Sequence, residues 1–60
     1  MTIAELILSR DDVEYVSVWR NDHLIFMKRI SSMTYQERLK ADKYEVKSYE
    51  VNQSWLTVEV

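Results

Sequence analysis

The segment YVSVWRNDHLIFM, which begins at Tyr15, contains two apolar runs on either side of Asn21-Asp22. Apolar and β-branched residues at a spacing of two predict strands. Asn and Asp tolerate the positive φ angles that a two-residue hairpin turn needs. The segment therefore predicts a β-hairpin, with strands at about residues 14–20 and 23–30.

Side chains of a hairpin alternate between its two faces, and here both predicted faces are apolar. One face is expected to carry Val16, Val18, Ile25 and Met27, and the other Tyr15, Trp19, Leu24 and Phe26. A four-residue loop from Arg20 to His23 would leave these faces unchanged. Because an antiparallel sheet can leave one face in water, the second apolar face requires a covering layer or a partner.

Two helices are predicted from capping boxes, in which a Thr and a Glu three residues later each bind the other's backbone amide. Thr2 and Glu5 form the first, and Ile3, Leu6 and Ile7 follow at helical spacing. This pattern favours a helix over residues 3–9, although TIAELIL also alternates weakly as a strand would.

The second capping box consists of Thr34 and Glu37, followed by the helix-forming residues RLKA. This helix is short and mostly polar, so only a narrow stripe can be buried. Tyr35 and Leu39 share that stripe, with Met33 expected to pack on the first turn.

The final segment, YEVKSYEVNQSWLTVEV, predicts a second hairpin around Asn52-Gln53. Its apolar face is expected to carry Tyr49, Val51, Leu56, Val58 and Val60. Trp55 falls on the opposite face. Tyr44 and Val46 are out of phase with this pattern, which indicates a bulge or a strand start near 47–48.

Together these elements predict one small α+β domain over residues 1–60, in the order αββαββ. Two β-hairpins form an antiparallel sheet with two short helices. The predicted core consists of Leu6, Ile7, Val16, Val18, Ile25, Leu39, Leu56 and Val58.

The composition removes several classes of site, because the 60 residues include no Gly, Pro or Cys. Asn21, Asp22 and Asn52 are then the candidates for positive φ in turns. Without Gly a glycine-rich phosphate loop is excluded, and without Cys so are disulfides and thiolate zinc sites. A chain this short buries only about 60% of its unfolded surface, so packing or self-association must stabilise it.

No signal for a membrane is present in the sequence. There is no run of ~18 apolar residues, and the start MTIAELILSRDD lacks the basic region of a signal peptide. The absence of Cys also fits a reducing compartment. We therefore expect a soluble protein of the cytoplasm.

Residues with catalytic or metal-binding chemistry are few. His23 is the single histidine and lies beside a predicted turn, where a solvated surface role is usual. The run Asp11, Asp12 and Glu14 has ligands suited to a hard cation, yet such runs are mostly solvated loops. The serines have no second His or any Cys to activate them. We expect no enzyme, no cofactor and no metal.

Basic residues gather in the middle and second half of the chain: Lys28, Arg29, Arg38, Lys40, Lys43 and Lys47. Tyr35 and Tyr44 lie among them, and such mixtures bind single-stranded nucleic acid. The net charge of −2 works against phosphate contacts. A nucleic-acid-associated module is one alternative function. Another is an oligomer that sequesters a small anion or nucleotide between protomers through Arg20, His23 or Lys28.

Large aromatic residues on the sheet faces predict an interaction surface, since such residues are enriched where proteins meet. The predicted surface consists of Tyr15, Trp19, Leu24, Phe26 and Trp55, with Arg20, His23 and Lys28 as a polar rim. We expect self-association through it, most simply as a dimer. The alternative is that the two helices cover opposite faces of the sheet and make both faces core.

The order "TIAELI", "EYVSVWRNDHLIF", a short capped helix and "YEVKSYEVNQSWLTVEV" resembles a loose group of small proteins encoded by phages and prophages of Firmicutes. The resemblance implies a viral or mobile-element setting in a bacterial cytoplasm and assigns no site residues. The leading hypothesis is a non-enzymatic phage accessory protein that binds a host or phage protein, with inhibition of a host defence system as one outcome.

Overall fold

Four strands form one mixed sheet in the computed structural model, which describes residues 1–60. In chain order the elements are α1 (Ile3–Leu8), β1 (Tyr15–Arg20), β2 (His23–Arg29), a 3-10 turn (Ile30–Ser32), α2 (Tyr35–Ala41), β3 (Ser48–Asn52) and β4 (Trp55–Glu59). The order of strands across the sheet is β2-β1-β4-β3. The α+β class is confirmed.

The expectation of a wholly antiparallel sheet is wrong, because the two central strands run parallel. β1 pairs with β2, and β3 with β4, as antiparallel hairpins, but β1 and β4 pair in parallel. Tyr15 lies opposite Trp55 and Val18 opposite Val58. These central strands are the more apolar pair, whereas edge strand β2 ends in Lys28 and Arg29. Charged side chains at a sheet edge oppose pairing with further strands.

Both predicted capping boxes are present and begin their helices. The amide of Glu5 donates to Thr2 Oγ1 at 3.2 Å, and the amide of Thr2 donates to Glu5 Oε1 at 2.8 Å. Thr34 and Glu37 form the same pair of hydrogen bonds. The N-terminal segment is therefore a helix and not a strand, as the capping box predicted.

The second capping box makes the stability of the domain depend on pH. The hydrogen bond from the Thr34 amide, followed by the contact with Lys28, holds the pKa of Glu37 below its ordinary value of 4.5. A carboxyl group whose pKa is lowered by folding stabilises the folded state fully at pH values above its pKa in the unfolded chain. That stabilisation is lost as the pH falls through its pKa in the folded state. Glutamine also suits this position of a capping box but does not titrate.

We therefore expect the melting temperature of Glu37→Gln to fall less between pH 6 and pH 3 than that of the wild type. Circular dichroism melts at the two pH values measure the difference. Identical losses in the two proteins would show that the Glu37 carboxylate does not stabilise α2.

The first hairpin forms around Asn21 and Asp22 as predicted, but its register shifts after two residue pairs. Trp19 lies opposite Leu24, whereas Val18 lies opposite Phe26, so Ile25 has no partner on β1. This β-bulge reverses the alternation for the rest of β2.

The bulge corrects the predicted faces of β2. Phe26 is half-buried and packs against the core, while Ile25 is 37% and Met27 55% exposed. Ile25 and Met27 are therefore not core residues, and Phe26 does not share a face with Trp19. Because LIFM is continuously apolar, alternation within it could not indicate which of these side chains points inward.

The core lies between one face of the sheet and the two helices. Its buried apolar residues are Ile3, Leu6, Val16, Val18, Met33, Ala41, Leu56, Val58 and Val60, and Ile7 packs against them partly buried. Leu39 was predicted to lie in the core but is 48% exposed, and Tyr35, predicted to share its buried stripe, is 75% exposed. The predicted buried stripe of α2 is therefore wrong. Instead α2 contacts the core through Ala41, because a small side chain allows its backbone to approach closely.

The second hairpin has the predicted apolar face, with Tyr49 opposite Val58 and Val51 opposite Leu56. β3 begins at Ser48, as the phase change near 47–48 indicated. The turn differs by one residue, since Gln53 and not Asn52 has the positive φ, at 57°. Asn21 and Asp22 do have positive φ, at 50° and 66°.

Candidate interaction surface

One face of the sheet is not covered by a helix; we call it the outer face. The buried residues of both helices join one core with Val16, Val18, Leu56 and Val58, so both helices pack on the opposite, inner face. By alternation the outer face carries Leu24, Met27 and Arg29 of β2, Tyr15, Ser17 and Trp19 of β1, Trp55, Thr57 and Glu59 of β4, and Ser48, Glu50 and Asn52 of β3. The alternative of helices on opposite faces is wrong.

Two aromatic rings stack at one end of the outer face. The ring centroids of Tyr15 and Trp55 are 4.6 Å apart and their planes are inclined by 17°. The parallel pairing of β1 with β4 places these residues opposite each other. Such pairs contribute about 0.5–1.5 kcal/mol beyond area burial. Trp55 nevertheless remains 37% exposed, so the stack holds a broad aromatic surface in a fixed orientation.

Trp19 lies toward the other end of the outer face. Its indole Nε1 donates to Ser17 Oγ at 3.2 Å, and Ser17 is only 6% exposed. Because an indole has a single N–H donor, this bond satisfies the polar atom of Trp19. What remains for a partner is the apolar ring surface of Trp19 itself.

Two flexible aliphatic side chains extend the apolar area toward the sheet edge. Leu24 is 47% and Met27 55% exposed. Leu24 lies opposite Trp19 and Met27 opposite Ser17. Met27 thus occupies the area that the sequence assigned to Phe26, and alternation could not have identified it because the bulge reverses the phase.

Arg20 and Lys28, two of the three residues predicted to form a polar rim, lie on the helix side of the sheet. The guanidinium of Arg20 is 5.7 Å from the Tyr44 ring centroid, and Lys28 Nζ forms an ion pair with Glu37 Oε2 at 3.2 Å. Both contacts are on the helix side of the sheet. His23 is exposed next to the β1–β2 turn. Arg20 and Lys28 therefore do not border the outer face.

Arg29 is the basic residue of the outer face. Its Nη2 donates to the Tyr15 hydroxyl at 2.8 Å and lies 3.8 Å from Glu14 Oε1. The hydrogen bond to Tyr15, together with the nearby negative charge, raises the pKa of Arg29. The Arg29 charge is thus already paired within the chain.

Carboxylates surround a shallow depression of about 430 Å³ beside Trp19. Asp22, Glu50 and Glu59 line it, together with Ser48 and Thr57. None of the three acids belongs to an ion pair, since the pairs in the chain are Met1–Glu45, Arg10–Asp12, Lys28–Glu37 and Arg29–Glu14. The outer face is therefore apolar over β1 and β2 and acidic toward β3.

The sequence candidates for metal binding do not converge. Asp12 accepts from Arg10 at 2.8 Å, and Glu14 faces Arg29. No three His, Asp or Glu side chains come close enough to hold a metal ion.

Two of the basic residues of the nucleic-acid alternative lie on opposite faces of the sheet, whereas Lys40 and Lys43 line one shallow depression on α2. Lys28 pairs with Glu37 on the helix side, whereas Arg29 lies on the outer face with Tyr15. The three residues of the anion alternative, Arg20, His23 and Lys28, line no common pocket.

An apolar cleft of about 150 Å³ lies between α1 and α2. Its lining residues are Ala4, Ile7, Leu8, Ile30, Met33, Arg38 and Ala41. Leu8 is 80% exposed at its margin. The cleft has room for roughly one aromatic ring.

Neither helix is long and apolar enough to cross a membrane. Comparisons with protein-family models, with curated proteins and with solved structures found no match to this chain.

Proposed function

We propose that this domain is a non-enzymatic interaction module that binds another protein through the outer face of its sheet. The observation that supports the proposal is a sheet face without a covering helix that carries large apolar side chains. The stacked pair Tyr15 and Trp55 lies at one end, with Trp19, Leu24 and Met27 beside it. Exposed apolar patches of this kind are typical of protein contact sites.

The size of the outer face suits such a contact. The molecule measures 26 × 26 × 19 Å, so a broad face is comparable to the ~800 Å² that one partner gives to a standard interface. The aromatic residues are the expected main contributors, since Trp and Tyr dominate binding energy at many interfaces. The stack already holds two of them in place, which lowers the entropy lost on binding.

The setting of this interaction is proposed from the resemblance to phage and prophage proteins. In that setting the partner is a host or phage protein in a bacterial cytoplasm, and a component of a host defence system is one proposed target. Self-association as a dimer is the form of the proposal that needs no other protein.

The test compares two double variants, each of which replaces two exposed apolar side chains. Leu24→Ser/Met27→Ser removes apolar area from the outer face, and Leu39→Ser/Tyr35→Ser removes it from the exposed side of α2. We expect the first pair to weaken binding at least ~10-fold, because it removes two apolar contacts. The second pair should bind as the wild type does.

Binding is measured by light scattering for self-association and by affinity capture from a bacterial lysate for other partners. Circular dichroism confirms that each variant is folded. A wild type that is monomeric and captures nothing, or an outer-face variant that binds as tightly as the wild type, would contradict the proposal.

A further inference from the structure

We infer that the partner presents a basic polypeptide segment to the outer face, with lysine or arginine side chains next to apolar ones. This inference rests on the proposed function and specifies the chemistry of the partner. It is carried by the charge distribution on the outer face, where unpaired carboxylates adjoin the aromatic surface.

The strand register places these groups around one small residue. Thr57 lies between Ser17 on β1 and Glu50 on β3, and Glu59 is two residues further along β4, opposite Trp19. Neighbouring strands are about 4.8 Å apart, so these side chains are within reach of one bound group. Ser17 and Thr57 are both small, so the depression stays open between Trp19 and the two glutamates.

A cationic side chain satisfies each element of this arrangement. The aliphatic part of lysine or arginine can lie along the Trp19 ring, where the charge also gains from the electron-rich ring face. The ammonium or guanidinium group can donate to Glu50 and Glu59, and such charge-assisted hydrogen bonds are roughly twice as strong as neutral ones. The apolar residues of the same segment would contact Leu24 and Met27.

The outer face already holds one cation in a similar environment. The Arg29 guanidinium donates to the Tyr15 hydroxyl at 2.8 Å, lies 5.3 Å from the Tyr15 ring centroid and pairs with Glu14. An aromatic side chain with a carboxylate beside it therefore accommodates a guanidinium on this sheet. Trp19 with Glu50 and Glu59 repeats that combination without an internal cation.

The same charges disfavour the other occupants of this face. A second copy that met the acidic side of this face with its own acidic side would bring like charges of Asp22, Glu50 and Glu59 together, and like charges in contact destabilise an interface. Nucleic acid carries dense negative charge and needs a basic surface.

The experiment uses the full chain and an eight-residue fluorescent peptide that repeats lysine, leucine, arginine and serine twice. Fluorescence anisotropy at low salt measures its binding. We expect Glu50→Gln/Glu59→Gln to bind the peptide at least ~10-fold more weakly than the wild type, because two charged acceptors are lost. The Trp19 indole resonance should shift on binding to the wild type.

The control Asp11→Asn/Glu45→Gln makes the same change of net charge away from the outer face. It should bind the peptide within about twofold of the wild type, as is usual for independent distant sites. Equal weakening by both pairs would show attraction by net charge alone and would overturn the inference, as would no binding by the wild type.

The two proposals fail in different ways. If the peptide does not bind but the wild type self-associates and Leu24→Ser/Met27→Ser abolishes this, a second copy occupies the outer face. The proposed function then stands and the basic partner is rejected. If the outer-face variants match the wild type in both assays, both proposals are rejected.

Discussion

Leu56→Ala is expected to leave a large fraction of the molecules unfolded at room temperature. Leu56 is fully buried on the central strand β4, between Val16 on β1 and Val51 on β3. Truncating a buried leucine to alanine costs about 2–5 kcal/mol, because it loses apolar burial and leaves a cavity. A domain of this size rarely has more than about 3–5 kcal/mol of stability. Urea unfolding followed by tryptophan fluorescence measures the loss.

The control for this variant is Leu39→Ala on α2. Leu39 is 48% exposed, so its truncation should cost less than about 1 kcal/mol. The contrast is informative because the sequence pattern placed both leucines in the core. Equal destabilisation by the two variants would mean that α2 buries Leu39 against the sheet.

Thr57→Pro is expected to abolish cooperative unfolding. Thr57 is in a strand with hydrogen-bonded neighbours on both sides, and its side chain is exposed on the outer face. Proline removes a backbone donor and fixes φ, which in the middle of a sheet costs about 3 kcal/mol or more. The effect would therefore come from the backbone alone.

Thr57→Val is the matched control, since valine has the same branched shape and a free backbone amide. It should unfold within about 0.5 kcal/mol of the wild type, as surface changes usually do. A folded, cooperatively melting Thr57→Pro would show that β4 is not a central strand and would overturn the strand order.

Features controlled by neighbouring residues could be predicted from the sequence. The two capping boxes fix the starts of both helices through hydrogen bonds over three residues. The turn at Asn21 and Asp22 follows from the tolerance of these residue types for positive φ. The apolar face of the second hairpin follows from the strict alternation of LTVEV.

Features that depend on competition between distant segments could not be predicted in this way. Ile25 and Phe26 are both apolar and adjacent, and the bulge that selects Phe26 depends on how well each fills the space against the core. Leu39 has the expected helical spacing, yet the orientation of α2 is set by Ala41 at the contact. Parallel pairing of β1 with β4 also leaves no local pattern.

The candidate surface shows the same division. Tyr15, Trp19, Leu24 and Trp55 were identified by their type and phase, and all four lie on the outer face. Met27 and the acidic half of the face were missed. Met27 was hidden by the bulge, and Glu50 and Glu59 become neighbours of Trp19 only when the two hairpins join.

The parallel seam between β1 and β4 also determines how the chain must fold. Each hairpin has a local turn and can close within about 1–10 μs. The seam joins Tyr15 to Trp55, segments so distant in the chain that their pairing carries the entropy of closing a long loop. Until it forms, both hairpins expose an unpaired strand edge. At high concentration β4 of a neighbouring molecule can therefore compete with the chain's own β4 for this edge of β1 during refolding.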